Sequence, residues 1–423
     1  MKFKLLVILL VVLMVSAPFL NLTLTAKGTA TSTLPNLYVG VDVAYENVTA
    51  TEQLIDKISV YTNIVVIGCT GNYDLYRLTT LSQYAFDKGM SFIIYSDTHR
   101  YPTQQWLGTA TSKWGNKFLG IYYFDEEGGK QLDQQKYPAV TSAKNYSDAA
   151  NLFNKTINTW LRGPRSITQS FAYPTQYKLF TSDYAFYWYD YQAGYDTVFA
   201  EFGANYSRQL NVALCRGAAT AQNKDWGVMI TWTYTQPPYI ESGPALYNDM
   251  VLAYQNGAKY IIIFDSNQDY SQTILQQEHL DAMQQFWQYV QNNPRTITPV
   301  SERTTYVLPQ NYAYGFRGPQ DRIWGLWGPD AITNSICSNV TAALNQYGIN
   351  LDIIYPNAPQ TIDSIGYQNI TYWDGTQLAQ SPASNQKNFP WLEISVFAIT
   401  ASIISIATVA AMLFKFRKHT ENK

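Results

Sequence analysis

The chain has 423 residues, with 29 Lys and Arg against 31 Asp and Glu and a formal net charge of −2. That balance offers no basic footprint for nucleic acid, and the length exceeds what one small domain needs. Three histidines and three cysteines, far apart in the sequence, argue against a zinc cluster and a complete disulfide framework, so no metal or cofactor is expected.

Lys2 and Lys4 precede an apolar stretch over 5–15, the layout of a secretory signal or N-terminal anchor within residues 1–30. From residue 37 onward, strand-like and helix-like segments alternate. The patterning predicts strands at 37–45, 63–70, 91–97, 117–125, 177–182, 197–202, 226–234 and 259–266. Helices are predicted at 51–61, capped by Thr49 or Thr51, and at 74–88, 103–114, 148–161, 184–195, 208–222, 244–256 and 274–291. The strands read as continuous apolar runs, as in a parallel sheet covered on both faces. Eight such pairs over 36–292 suit an α/β fold of the (β/α)8 TIM-barrel type.

After Asn292-Asn293-Pro294 the composition changes. Strands at 305–308, 322–327, 350–355 and 369–373, with a helix at 333–347, predict a small α/β accessory domain over 295–375. Residues 376–390 are rich in Gln, Ser and Asn and read as a flexible stalk. Residues 394–414 carry no charge and are long enough to cross about 30 Å of hydrocarbon, which makes 391–414 a transmembrane helix. Trp391 stands at its entrance, and Lys415, Arg417 and Lys418 follow its exit. The positive-inside rule then puts the tail, 415–423, in the cytoplasm and the body outside the cell. Sequons at Asn47, Asn145, Asn154, Asn205, Asn339 and Asn369 fit an exported, glycosylated protein.

Several of the apolar runs finish in an acid. Asp42 ends the first, Asp97 the third, Asp125 with Glu126 and Glu127 the fourth, Glu201 the sixth and Asp265 the eighth. In a parallel barrel the carboxyl ends of the strands carry the ligand site, and a ring of acids there points to acid–base chemistry. Glycoside hydrolysis needs two carboxyl groups, one to protonate the leaving oxygen and one to attack the sugar carbon or activate water. Glu126 is favoured as the general acid, with Asp125 and Glu201 competing for the partner role. Strand alternation does not decide between Asp125 and Glu126, because the residues sharing parity with each are equally apolar. The competing structural reading pairs these acids with Arg100, Arg208 or Arg216. Aromatic platforms for sugar faces are expected from Trp232, Tyr234, Tyr45 and Trp188, with Glu241 within reach.

These segments, chiefly Phe118 to Glu126, Tyr195 to Phe202 and Gly227 to Trp232, resemble the glycoside-hydrolase-like (β/α)8 superfamily over residues 37–292. More closely, the chain is similar to tyrosine-rich, membrane-anchored surface proteins of archaea. The resemblance implies an acid after strand four working with one after strand six or seven, on polysaccharide or glycoprotein glycans. Asp125 or Glu126 with Glu201 match the four/six arrangement. Strand seven departs from it, ending in Trp232 where several families keep a Glu. A non-catalytic glycan-binding or cell-envelope protein on the same barrel is the alternative.

Charged residues make up only 14% of the chain, while Tyr alone numbers 34, against a usual charged share of about a quarter. An acidic exterior would favour such a surface, because neutral polar groups keep their hydration when carboxylates protonate. The fold is therefore expected to persist below about pH 4; circular dichroism against pH checks this, and collapse below that value would contradict it.

Overall fold

The computed structural model describes residues 37–68, 75–96, 104–170, 177–356 and 362–376. Eight parallel strands form a closed barrel: β1 (Tyr38–Val43), β2 (Ile64–Ile67), β3 (Ser91–Ser96), β4 (Phe118–Tyr123), β5 (Lys178–Asp183), β6 (Thr197–Phe202), β7 (Asp225–Ile230) and β8 (Tyr260–Asp265). They pair in chain order, and β8 closes on β1. The helices are α1 (Val48–Ile58), α2 (Leu75–Asp87), α3 (Gln104–Trp114), α4 (Glu127–Gln134), α5 (Pro138–Thr141), α6 (Tyr146–Ser170), α7 (Tyr187–Ala193), α8 (Arg208–Ala221), α9 (Gly243–Gln255) and α10 (Gln277–Asn292).

Strand alternation sorts the apolar residues into two sets. One set, with Ile64, Val66, Ile93, Tyr122, Phe180, Phe199, Met229, Tyr260 and Ile262, fills the barrel. The other, far larger, packs between strands and helices. Large rings inside require small neighbours. A Cβ on Gly227 would lie 2.7 Å from the Tyr260 Cβ and 2.8 Å from Phe199 Cδ1, so only glycine fits there. The amino-terminal end is plugged by Tyr38 stacked on Tyr260, ring centroids 5.0 Å apart, and by Asp225, which pairs with Lys178 and lies 2.9 Å from Lys259.

A second sheet follows: β9 (Thr304–Val307), β10 (Leu351–Ile354) and β11 (Asn369–Tyr372), parallel, in the order β10-β9-β11, with α11 (Thr333–Tyr347) and α12 (Ile362–Ile365). Barrel and small sheet belong to one unit that ends at residue 378. Their junction is α8 against β10. Arg216 of α8 donates to Asp352 at 2.7 Å, and Arg303 donates to the other oxygen at 2.7 Å. Tyr367 adds a third bond to Asp352 at 2.9 Å. Asp352 has no exposed surface.

Four expectations change. The long loop after β4 contains α4 and α5, and α6 starts earlier and ends later than its apolar period suggested. β7 stops at Ile230, so Trp232 and Tyr234 stand on the following loop. Residues 322–327 form no strand, because Trp324 turns left-handed (φ +58) and Ile323 makes only isolated bridges to Tyr314 and Trp327. Asn47, rather than either threonine, caps α1, accepting the Ala50 N–H at 2.9 Å. Among the described residues no helix is long and apolar enough to cross a membrane. The expected signal, stalk, membrane span and cytoplasmic tail lie outside the described residues, as do Asp97, Cys69, His99 and Arg100.

Replacing Asp352 by Ala strands two buried guanidinium groups. It is expected to destabilise the fold by about 3–5 kcal/mol, read as a lowered urea midpoint.

Candidate active site

Three consecutive strand ends build the site. On β4 a register shift against β3 pairs Phe92 with Phe118 and then Ile93 with Gly120, skipping Leu119. The bulge sets Tyr122 into the barrel, where it meets Tyr95 edge-on at 5.4 Å between ring centroids. Beyond Tyr123 the chain leaves the strand. Phe124 (φ +60) and Glu126 (φ +54) are both left-handed, a conformation unusual for such side chains and found where surroundings hold it in place.

The surroundings come from β5. Its last two residues point opposite ways. Ser182 faces the lumen, and its backbone carbonyl accepts the Glu126 N–H at 3.0 Å. Asp183 points out toward the start of α4, where its oxygens accept N–H groups from Gly128 at 2.6 Å, Gly129 at 2.9 Å, Tyr184 at 2.8 Å and Ala185 at 3.0 Å. A carboxyl at a helix N-terminus satisfies donors that no helical carbonyl can reach. Burial still dominates, and pushes the Asp183 pKa up to about 8 against the pull of those N–H groups.

Within the mouth, Tyr122 donates its hydroxyl to Asp125 and lies 2.7 Å from Ser182 Oγ. Ser182 Oγ stands 2.7 Å from Glu201 Oε1 and 3.1 Å from Asp125 Oδ1, so its single proton serves one acid at a time. Glu201 ends β6 facing inward and is buried; its backbone carbonyl accepts from Asn211 at 2.7 Å. The carboxyl groups of Glu126 and Glu201 stand close enough to perturb one another. Burial, then the Asp125 charge, lifts the Glu126 pKa to about 7. Burial, then the charges of Glu126 and Asp125, holds Glu201 well above the ordinary carboxyl range. Neighbouring carboxyls disfavour each other's ionised form, so the pair takes up a proton more readily than isolated acids would. Lys130 stands over this group, its Nζ 3.9 Å from both Asp125 Oδ2 and Glu126 Oε2 and 2.5 Å from the Asp125 backbone oxygen. Burial opposes its charge, but the neighbouring carboxylates, Asp125 first, raise its pKa above the ordinary lysine value.

The remaining expected site residues divide. Asp42 ends β1 on the inward side, in register with Phe264, and is buried. Its Oδ1 has no hydrogen-bond partner. Burial, then the charges of Asp125 and Asp265, pushes its pKa well up. Trp232 is half-buried, donates to the Ser266 carbonyl at 2.8 Å, and packs against Phe264 and Tyr239 with ring centroids at 5.8 and 5.4 Å. Together they form an aromatic wall beside Asp42.

The others are not gathered there. Asp265 faces away from the lumen and ties the loop after β8 through Thr273 Oγ1 at 2.9 Å and the Ile274 N–H at 2.8 Å. Glu241 lies among the helices, 3.5 Å from Arg208, which also binds Asp249 at 2.9 Å. Trp188 stacks on Tyr355 of the small sheet at 5.4 Å, because α7 presents it outward. Tyr45 is buried with no free face, and Tyr234 is 51% exposed on its loop. Of the sequon asparagines, Asn47, Asn145, Asn205 and Asn339 are exposed, whereas Asn154 and Asn369 are half-buried, bonded to Gln192 and Thr304. Among the described residues no cluster of His, Cys, Asp and Glu could hold a metal ion.

Tyr122, Lys130, Ser182 and Asp183 were not among the expected site residues. The run Lys178 to Asp183 also ends in an acid, and that was the available signal.

No family model matches the chain, and no curated protein matches it in sequence. Among solved structures, a GH5_18 protein from Streptomyces cattleya in complex with GlcNAc aligns with 80% of this chain and 99% of its own, at 12% identity and a TM-score of 0.46. The GH99 endo-alpha-mannosidase from Bacteriodes thetaiotaomicron aligns with 62% of this chain and 98% of its own, at 11% identity and 0.38. A truncated 3-deoxy-D-arabino-heptulosonate 7-phosphate synthase from Thermotoga maritima aligns with 62% and 89%, at 9% and 0.32. The barrel is established here by its own strand pairing.

The raised acids give stability a direction in pH. Glu126 titrates at about 7 in the fold against an ordinary 4.5. What it lends to stability is whole below about 4.5 and is lost as the pH rises through about 7. Asp183 and Glu241, at about 8, act the same way. Unfolding free energy is therefore expected to fall between pH 5 and pH 8, and Glu126→Gln to flatten part of that slope, measured by urea denaturation at each pH.

Proposed function

We propose that this barrel hydrolyses glycosidic bonds of polysaccharide or glycoprotein glycans by carboxyl acid–base chemistry. The observation that carries the reading is the gathering of Asp125, Glu126 and Glu201 from different strand ends around Ser182 and Lys130, where burial and the neighbouring acids raise the pKa values of Glu126 and Glu201. Hydrolysis needs one protonated and one ionised carboxyl at the same moment. Glu126, half-exposed on its turn, gives the proton to the leaving oxygen. Glu201, fixed by its strand and by Ser182, attacks the sugar carbon or takes a proton from water. Water supplies the hydroxyl of the new reducing end and restores the proton to Glu126. Asp125 and Lys130 set the charge around the pair, and the wall of Trp232, Tyr239 and Phe264 offers faces for sugar C–H groups.

The reading includes a cell-surface location, with the body outside and the tail at 415–423 inside. The uncharged stretch at 394–414, the basic residues after it and the four exposed sequons support that placement.

A second reading, a glycan-binding barrel without turnover, draws on one observation. Ser182 and Asp125 tie the two carboxyls into one tight polar cluster, whereas a retaining pair stands about 5–5.5 Å apart and an inverting pair about 6.5–9.5 Å. Hydrolysis thus requires the sugar to part them, and Glu126 on its loop is the member free of a strand.

Glu126→Gln and Glu201→Gln are each expected to lower kcat/KM at least about 10²-fold while leaving the circular dichroism spectrum intact, on whichever member of a glycan panel the parent cleaves. Parent activity that survives both changes would sink the assignment. Binding without cleavage from pH 3 to 8 would establish the second reading.

A further inference from the structure

The mouth holds more acid than the proposed reaction uses. Glu126 and Glu201 suffice for hydrolysis, yet Asp125 and Asp42 lie within electrostatic reach of the same group, and Tyr122 feels both. Against these acids Lys130 reaches only Asp125 and Glu126, and at 3.9 Å. Among the described residues no cation pairs with Asp42. Asp42 is 3% exposed, and its Oδ1, which occupies the space a side chain at Gly68 would take, meets no hydrogen-bond donor. A buried oxygen left so is costly unless something fills the place during function.

Its surroundings specify what fits. Asp42 takes the inward side of β1 at the ligand-facing end, opposite Phe264 in the β8 register. Phe264 carries Trp232 on its edge, and Trp232 carries Tyr239. A carboxyl beside aromatic faces, in a mouth crowded with further carboxyls, suits an ammonium. The acid supplies the charge partner, the rings supply cation–π attraction, and each added positive charge relieves the repulsion among the acids. A neutral hydroxyl would satisfy the orphaned oxygen but would leave that repulsion in place.

We infer that the sugar bound against Asp42 carries a free amine, so that the substrate class is a cationic glycan built from unacetylated amino sugars. This rests on the proposed hydrolase reading for turnover only; the binding preference stands apart from it.

Calorimetric titration of the full chain at about pH 5.5 tests the inference. The probes are glucosamine and galactosamine tetramers, their N-acetylated counterparts and a neutral glucose tetramer. In at least one of the two series, the unacetylated tetramer is expected to bind at least about tenfold more tightly than its acetylated counterpart and the neutral one. Raising NaCl from about 50 mM to about 500 mM is expected to shrink that preference, as screening requires. Asp42→Asn is expected to bring the unacetylated tetramer down to the level of the acetylated one. Equal affinity across both series, or a preference indifferent to salt in the parent protein, overturns the inference even if the variant does not fold. Preference without cleavage of any probe removes the hydrolase reading and keeps the cationic site. Cleavage of a neutral glycan without amine preference does the reverse.

Discussion

The opposite facing of Ser182 and Asp183 at the end of β5 is the constraint on which the site depends. Adjacent strand residues must point to opposite sides of a sheet, and here both sides are used. The outward Asp183 gathers N–H groups from Gly128, Gly129, Tyr184 and Ala185, which fixes the start of α4. The inward Ser182 meets Glu201 and Asp125 with its hydroxyl and Glu126 with its backbone carbonyl. The turn after β4 is held from both sides of the barrel wall, and its two left-handed residues are tolerable for that reason.

Held there, the acids crowd. Glu126, Glu201 and Asp42 are all burdened by loss of water first and by one another second. The result is a mouth that prefers protons to charge. The same preference runs through the molecule at Asp183 and Glu241, and it agrees in direction with a surface poor in charged groups. By contrast, Asp352 receives two guanidinium groups and a tyrosine hydroxyl, and it serves only to bind the small sheet to α8. Two sorts of buried acid therefore coexist: Asp352 is held by two arginines, whereas Glu201 and Asp42 have none among the described residues.

Much of the barrel was legible in sequence. β6 and α11 fall where the apolar runs and the Gly348 stop place them, and the other barrel strands differ by a few residues at their ends. Glu126, Asp125 and Glu201 were named from strand-end position, and they lie in one cluster around Ser182 and Lys130. Tyr122 and Ser182 were not found, because the bulge at Leu119 shifts the parity of β4 and a serine beside an acid carries no signal of its own. Among the described residues none of the strand-end acids pairs with an arginine; Arg208 instead lies 3.5 Å from Glu241, 33 residues away in the chain. Trp188 could not be placed, since a short helix gives no hint of which neighbour it will face.

The order of the eight barrel strands and their main helices is set locally, because apolar periodicity and glycine stops are properties of neighbouring residues; α4, α5 and the missing strand at 322–327 are not. The sequence by itself also determined that acids end the strands. Which of those acids meet is settled by long-range packing. That choice depends on strand stagger, on the bulge in β4 and on the outward clamp at Asp183, and each is a relation between segments distant in sequence, expressed only once the barrel has closed.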